Sequence, residues 1–303
     1  MSKLNNGYIG SDQRFTQSGL TVNKKHFIER KSGNRKAFSS INSISQLDLW
    51  INEKSWQGGS DGSDSISAII DQSNRKNNLS RNYTSQGRIY KTNAKNGLPA
   101  LEFNGSNNQY YTCSLDSLLL NDNNYSFDVT VIFVGRNDSQ SGFFNFGNNL
   151  NTPFCNLRFG RTEWEAAGVR GEIWDASDFS YGDWTIHTWK RDSSSAINIK
   201  DKDLVPNYGS TGVGHRFMER VSSQSIYVNG QKLIRIGGSQ IGLASNKQYS
   251  FGGVSSRHII GRGRNSPFNG IFGELIVFYK ALNDRELSFV HESLSEKWAI
   301  PLV

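Results

Sequence analysis

Cysteine is nearly absent: Cys113 and Cys155 are the only two among 303 residues, and neither belongs to a Cys-x-x-Cys pair. A pair this sparse excludes a disulfide framework and points to synthesis in a reducing compartment. Cys113 falls in a strand-like stretch, whereas Cys155 stands two residues after Pro153 in a stretch that reads as loop. Proline and methionine are scarce too, at 5 and 2 residues. No apolar run is long enough for a transmembrane helix, and residues 1–8 hold no apolar segment of the kind a signal peptide needs. The chain is therefore expected to be made in a cytoplasm and to stay out of the membrane.

Blocks of one charge are also missing. The net charge is +7 from 34 basic and 27 acidic residues. The basic ones gather only in short clusters, at Lys24–Lys25, Arg30–Lys36 and Arg257–Arg264, and not in the long run that tracks phosphates. Nucleic acid is not an expected partner; the excess reads as a solvated basic surface that helps docking on an acidic assembly.

Reactive groupings are absent in the same way. The five histidines, His26, His187, His215, His258 and His291, lack the i, i+2 or i, i+4 partners that a metal site or a triad would show. Gly261-x-Gly263 has no helix after it, and phosphate binding needs a helix N-terminus. A sandwich glycosidase would carry its acid and nucleophile on alternate positions of one strand, facing one cleft. The nearest stretch, Glu172-Ile-Trp-Asp175, has odd spacing that puts the two acids on opposite strand faces. Glu163, Glu165, Glu172 and Asp175 are the candidates for hydrolysis, and the expectation is a protein that is not an enzyme.

What the chain has in abundance is Asn, Ser and Gly, with aromatics at 12%. That balance favours many short strands joined by Gly/Asn turns. Regular apolar patterning begins near Ile44 with Leu47, Leu49 and Trp50, and continues through Ser65–Ile70 and Leu98–Phe103 as short strands. Val129–Val134 is almost wholly apolar, as in a strand buried mid-sandwich. Phe143–Gly147 follows at hairpin distance, and Gln224–Val228 leads through Asn229-Gly230 into Lys232–Ile236, the strongest hairpin signal in the chain. Ile226, Val228, Leu233 and one of Ile234 or Ile236 supply its buried face. His258–Gly261 and Phe272–Tyr279 make two more strands. After Tyr279 the period changes: Asn283 or Asp284 caps a helix in which Leu287, Val290, Leu294 and Trp298 recur at three- and four-residue spacing.

Three stretches together resemble the concanavalin A-like, laminin G-like domains. They are Leu47–Trp50 with Asp61–Asp64 and Ile70–Asn74; Asn96-Gly-Leu-Pro-Ala-Leu-Glu-Phe-Asn-Gly-Ser-Asn-Asn108; and Phe268–Glu286 running on to Lys297-Trp298. Ile70 and Asn74 depart from the Trp and Gly usual there. The resemblance implies an all-β, antiparallel β-sandwich of jelly-roll type over residues 35–303, closed by one C-terminal helix. Residues 1–34 are polar and Gly-punctuated, with isolated apolar positions at Tyr8, Ile9, Phe15, Leu20 and Phe27, and cannot close a core alone. They are expected to form an extended anchoring arm. Asn6–Gly10 and Ser18–His26 resemble attachment segments in virion proteins of tailed bacteriophages.

Two candidate sites remain. Between Arg158 and Lys190, Trp164, Trp174, Trp184, Trp189 and Tyr181 interleave with Arg161, Asp175 and Asp183. Aromatic faces beside carboxylates suit sugar rings, and equally suit a sandwich core or an intersubunit contact. No cofactor is expected. Asp61, Asp64 and Asp71 are weak calcium candidates, since such sites occur in the resembled domains, and surface turn acids are the commoner role. The expected protein is a non-catalytic virion surface component, a tail appendage, fibre or head decoration. Its partners would be other virion proteins through the arm, further copies of itself and host polysaccharide. The alternative is a purely structural cement protein without glycan binding.

Overall fold

The computed structural model describes residues 38–82, 88–105, 110–114, 128–139, 142–146, 155–158, 162–166, 169–174, 178–197, 221–233, 235–237, 257–261 and 267–303. The arm positions Tyr8, Ile9, Phe15, Leu20 and Phe27 lie outside them. The chain divides into two units, Met1–Ile44 and Ser45–Val303. In the first, a single 3-10 turn over Ile41–Ser43 is described, with Ser43 N–H donating to Ser40 O. Among the described residues, the second holds two antiparallel sheets and one helix.

Strands are numbered in chain order. The first sheet contains β1 (Leu47–Ile51), β5 (Ile89–Lys95), β6 (Leu98–Asn104), β8 (Val129–Asn137), β13 (Trp184–Ile197), β14 (Val221–Val228), β15 (Gln231–Lys232) and β18 (Asn269–Phe278). The second contains β2 (Trp56–Gln57), β3 (Ala68–Ile69), β4 (Leu79–Asn82), β7 (Tyr110–Ser114), β9 (Gly142–Phe146), β10 (Cys155–Arg158), β11 (Thr162–Ala166), β12 (Val169–Trp174), β16 (Arg235–Gly237) and β17 (Arg257–Ile260). Strand β18 is the hub of the first sheet. It pairs with β8 on one side, while β6 and β1 share its other side.

The two sheets bury one core between them. Leu49, Phe103, Val131, Phe133 and Trp189 come from the first, and Ile69, Leu79, Tyr111, Phe143 and Ile260 from the second. Its centre is aromatic: Phe133 and Phe143 lie 4.1 Å apart, Phe143 and Phe268 4.9 Å, and Trp56 meets Phe272 edge-on at 5.3 Å. Each such pair contributes roughly 0.5–1.5 kcal/mol beyond the area it buries. The all-β, antiparallel expectation is met, with the continuous apolar run in β8 buried along its length.

That run is buried on both faces because a second layer lies behind it. Helix α1 (Asp284–Trp298) covers the outer face of the first sheet and buries Leu287, Val290, Leu294 and Trp298, the four positions that the spacing predicts. Asn283 is its N-cap. Asn283 Oδ1 accepts from the amides of Arg285 and Glu286, and the Asn283 amide donates to Glu286 Oε2. Polar anchors tie helix to sheet: Thr188 Oγ1 lies 2.8 Å from His291 Nε2, and Thr130 Oγ1 donates to Lys280 O while accepting from the Leu282 amide.

The last turn of α1 is held by a buried carboxyl. Glu274 Oε1 accepts from Trp50 Nε1 at 2.7 Å, and Oε2 accepts from both Trp298 Nε1 and Lys297 Nζ at 2.7 Å. Lys297 Nζ also lies 2.5 Å from Glu53 Oε2. Burial pushes Glu274 above the ordinary carboxylate range, against the opposing pull of Lys297 and the two indoles.

Several details differ from the sequence reading. Only Ala68–Ile69 of the expected Ser65–Ile70 strand is ladder; Ser65 Oγ accepts from the Ser60 amide instead, and such local side-chain bonds compete with a sheet. The Asn229-Gly230 turn forms with φ of 48° and 83°, and Ile226, Val228 and Leu233 are buried. Its return strand, however, is split. Gln231–Lys232 stays in the first sheet, while Arg235–Gly237 pairs with β12 in the second; Ile234 lies outside the described residues. Cys155, read as loop, opens β10. The register Cys155–Phe146–His258–Cys113 runs straight across four strands, which separates the cysteines by about 14 Å at the usual strand spacing, too far for a disulfide.

Close packing between β8 and β18 makes one glycine informative. A Cβ at Gly135 would lie 2.3 Å from Ile271 O and from the Phe133 ring. Gly135→Ala is expected to lower the unfolding free energy by about 3 kcal/mol, read by urea denaturation.

Candidate functional site

At one end of the sandwich three segments converge: the last residues of β8, the first of β18, and the tight turn that feeds β13. The turn is Ser180–Asp183, closed by the Asp183 amide donating to Ser180 O at 3.4 Å. Gly182 takes φ +89°, a conformation glycine adopts without strain, and a Cβ there would meet nothing within 4 Å. Its amide donates to Asn137 O at 2.8 Å, which ties the turn to the end of β8. The Asp138 amide in turn donates to Asn269 O at 2.9 Å, and Asn269 Nδ2 donates to Ser139 Oγ at 3.4 Å.

The turn presents Tyr181, 50% exposed and the only large aromatic that is exposed among the residues whose burial is described. Asp178 and Asp183 flank it, both exposed. Beside it, Arg136 holds Asp138 through two parallel bonds, Nε to Oδ1 at 2.8 Å and an Nη to Oδ2 at 2.9 Å. This fork leaves the guanidinium and carboxylate with fixed directions toward solvent and with donor and acceptor capacity to spare. An exposed ring on a turn tied to the strand end that carries such donors and acceptors offers a sugar both an apolar face and hydroxyl partners. Arg136, Asp138 and Asn269 were not singled out from the sequence as site residues. The signal available for them was the turn-forming composition of Asn137-Asp138-Ser139 and of the Asn269-Gly270 step.

The other aromatic candidates separate. Trp184, the first residue of β13, is half-buried and stacks on Trp298 with centroids 5.5 Å apart and planes 19° apart. Trp189 is fully buried in the core between the sheets, so it is a core residue and leaves the surface set. Its register explains this: it faces the same way as His187, across from Val131 and Ile226. Trp164 lies opposite Leu157 on β11, and Trp174 ends β12 opposite Thr162. Glu163 and Glu165 sit on β11, opposite Ile173 and Arg170, and Glu172 sits on β12. Arg161 and Asp175 lie outside the described residues.

The three calcium candidates are each committed elsewhere. Asp71 is a correction to the surface-turn reading: it is fully buried, and its carboxylate accepts from the amides of Trp50, Ser73 and Asn77 and from Ser73 Oγ. Four donors saturate it, so it organises the loop from Asp71 to Asn78. Asp64 pairs with Arg81 at 2.8 Å and with Arg88 at 3.5 Å, and the buried Arg88 guanidinium lies 4.9 Å from the Tyr111 ring centroid. Asp61 is an exposed turn acid whose carboxylate accepts from Thr92 N and Oγ1, which hold it below the usual carboxylate range. Among the described residues, no group of three or more His, Cys, Asp or Glu could hold a metal ion. Nor, among them, is any helix long and apolar enough to cross a membrane.

No family model matches the chain, and no curated protein matches it. Among solved structures, it is similar to the botulinum neurotoxin type G receptor binding domain, at 13% identity and TM-score 0.44 over 82% of this chain and 52% of that one. It is also similar to domain 4 of an extracellular arabinanase from Geobacillus stearothermophilus, solved with arabinotriose, at 16% identity and TM-score 0.42 over 80% and 98%. A third is Trypanosoma rangeli sialidase, at 12% identity and TM-score 0.45 over 92% and 39%. The chain thus spans about half of the neurotoxin domain's chain and less than half of the sialidase. No residue role follows from likenesses of this size.

Proposed function

We propose that the Ser45–Val303 sandwich is a non-catalytic, lectin-like module that holds surface glycans at the Tyr181 end, and that the chain is a virion component of a tailed phage anchored by residues 1–34. The observation that carries the glycan reading is a half-exposed tyrosine on a tight turn, beside the Arg136–Asp138 fork and the exposed Asp183. Support for the virion placement comes from the polar, Gly-punctuated first residues and their likeness to phage attachment segments.

The glycan test is direct. On an array of bacterial surface oligosaccharides, Tyr181→Ala is expected to weaken binding at least about tenfold, equivalent to about 1.4 kcal/mol, with the melting temperature unchanged because the ring contributes little to the core. An unaltered chain that binds no oligosaccharide leaves the cement reading in its place. Deleting residues 1–34 separates the two halves of the proposal: incorporation into particles is lost, while the fragment still binds cells. Release of reducing ends from a polysaccharide, abolished by Glu172→Gln, would overturn the non-catalytic part.

A further inference from the structure

The turn that carries Tyr181 leads straight into Trp184, and Trp184 is not held by the sandwich core. Its ring stacks on Trp298, in the last turn of α1. Both indoles lie over Gly273 of β18: a Cβ there would sit 2.7 Å from the Trp298 ring and 3.1 Å from the Trp184 ring. Gly273 falls within a register shift of β18 against β8, which turns Glu274 toward the helix. Glu274 then fixes Trp298 through its indole N–H and fixes the neighbouring Lys297 through its ammonium. On its backbone, Trp184 is the register partner of Arg136, the residue whose guanidinium grips Asp138. The exposed turn is therefore bounded by the Gly182 amide bond to Asn137 O on one side and by a ring clamped against the helix on the other.

We infer that Trp298 is a positioning residue for the candidate binding end: held by Glu274, it stacks on Trp184 and so fixes the direction in which the Tyr181 turn enters β13. The C-terminal helix is then part of the support of the recognition surface as well as a cover for the sheet. The significance of this support for ligand binding rests on the glycan reading above, but the positioning itself does not.

The full chain tests it without any sugar. Paired indoles produce an exciton couplet in far-ultraviolet circular dichroism, and amide hydrogen exchange at Gly182 and Asp183 reports the turn. Trp298→Leu is expected to abolish the couplet and to speed exchange at Gly182 and Asp183 at least about tenfold, with Val131 and Thr188 unchanged. Trp298→Phe restores a ring against Trp184 and is expected to bring exchange back within about threefold of the unaltered chain. Should Trp298→Leu not fold, Trp184→Leu removes the same stack from the less buried partner. Unchanged exchange at Gly182, or an equal rise throughout β8 and β13, overturns the inference. If exchange behaves as expected while the unaltered chain binds no glycan on the array, the positioning stands and the glycan reading falls. Glycan binding with exchange unmoved gives the reverse.

Discussion

Glu274→Ala is expected to lower the unfolding free energy by about 3–5 kcal/mol, the range found when one member of a buried charged cluster is deleted. Three donors converge on this carboxyl: Trp50 Nε1 from β1, and Trp298 Nε1 and Lys297 Nζ from α1. Removal leaves two indole N–H groups without acceptors in a site where water does not compensate, at about 1–3 kcal/mol each. Lys297 retains Glu53, so its ammonium is not stranded. Urea unfolding measures the loss, and Lys297→Met supplies the second edge of a double-mutant cycle. A loss below about 1 kcal/mol would mean that the helix is held by its apolar face alone.

Acid is expected to weaken the sandwich through His187 and His291. Burial holds both imidazoles down to about 4, against 6.5 for an imidazole in water. Below pH 6.5 the unfolded chain takes up protons that the folded chain refuses, so stability falls from about pH 6.5 and levels off below about pH 4. At about 1.4 kcal/mol per pH unit, the gap amounts to about 3 kcal/mol for each histidine. Asp48 acts in the opposite sense. Desolvation in its pocket raises it from 3.8 to about 6, so the folded state binds its proton first and gains about 3 kcal/mol as pH falls across that window. Burial pushes Glu274 in the same direction as Asp48. The histidine term is isolated by His291→Gln, whose unfolding free energy should drop by about 2–3 kcal/mol less than that of the unaltered chain between about pH 7.5 and 4.5. Equal drops in the two proteins would refute the assignment to His291.

Local signals were legible where chemistry within a few residues decides the outcome. The Asn283 cap, the three- and four-residue spacing of Leu287, Val290, Leu294 and Trp298, and the Asn229-Gly230 turn all form as their residue types require. The split of the hairpin's return strand was not legible, because Arg235–Gly237 leaves the first sheet to satisfy an edge of β12 that lies far away in sequence. Nor was the fate of the tryptophans. Trp184 and Trp189 stand five residues apart on one strand, yet one lies under the last turn of α1 and the other fills the core. Alternation along β13 separates their faces, but only the opposing elements decide what each face meets.

By itself, then, the amino-acid order determined an antiparallel all-β body with a capped terminal helix, since turn residues and apolar periods act over short distances. Which polar groups would be buried together was decided only by tertiary packing. Glu274, Trp50 and Lys297 meet, as do Asp64, Arg81 and Arg88, while at the surface the Tyr181 turn is tied through Gly182 to the end of β8 that carries the Arg136–Asp138 fork. These groups come from separate strands, turns and the helix, and a carboxylate's partners in a sandwich are set by sheet order and register, which no local stretch of residues encodes.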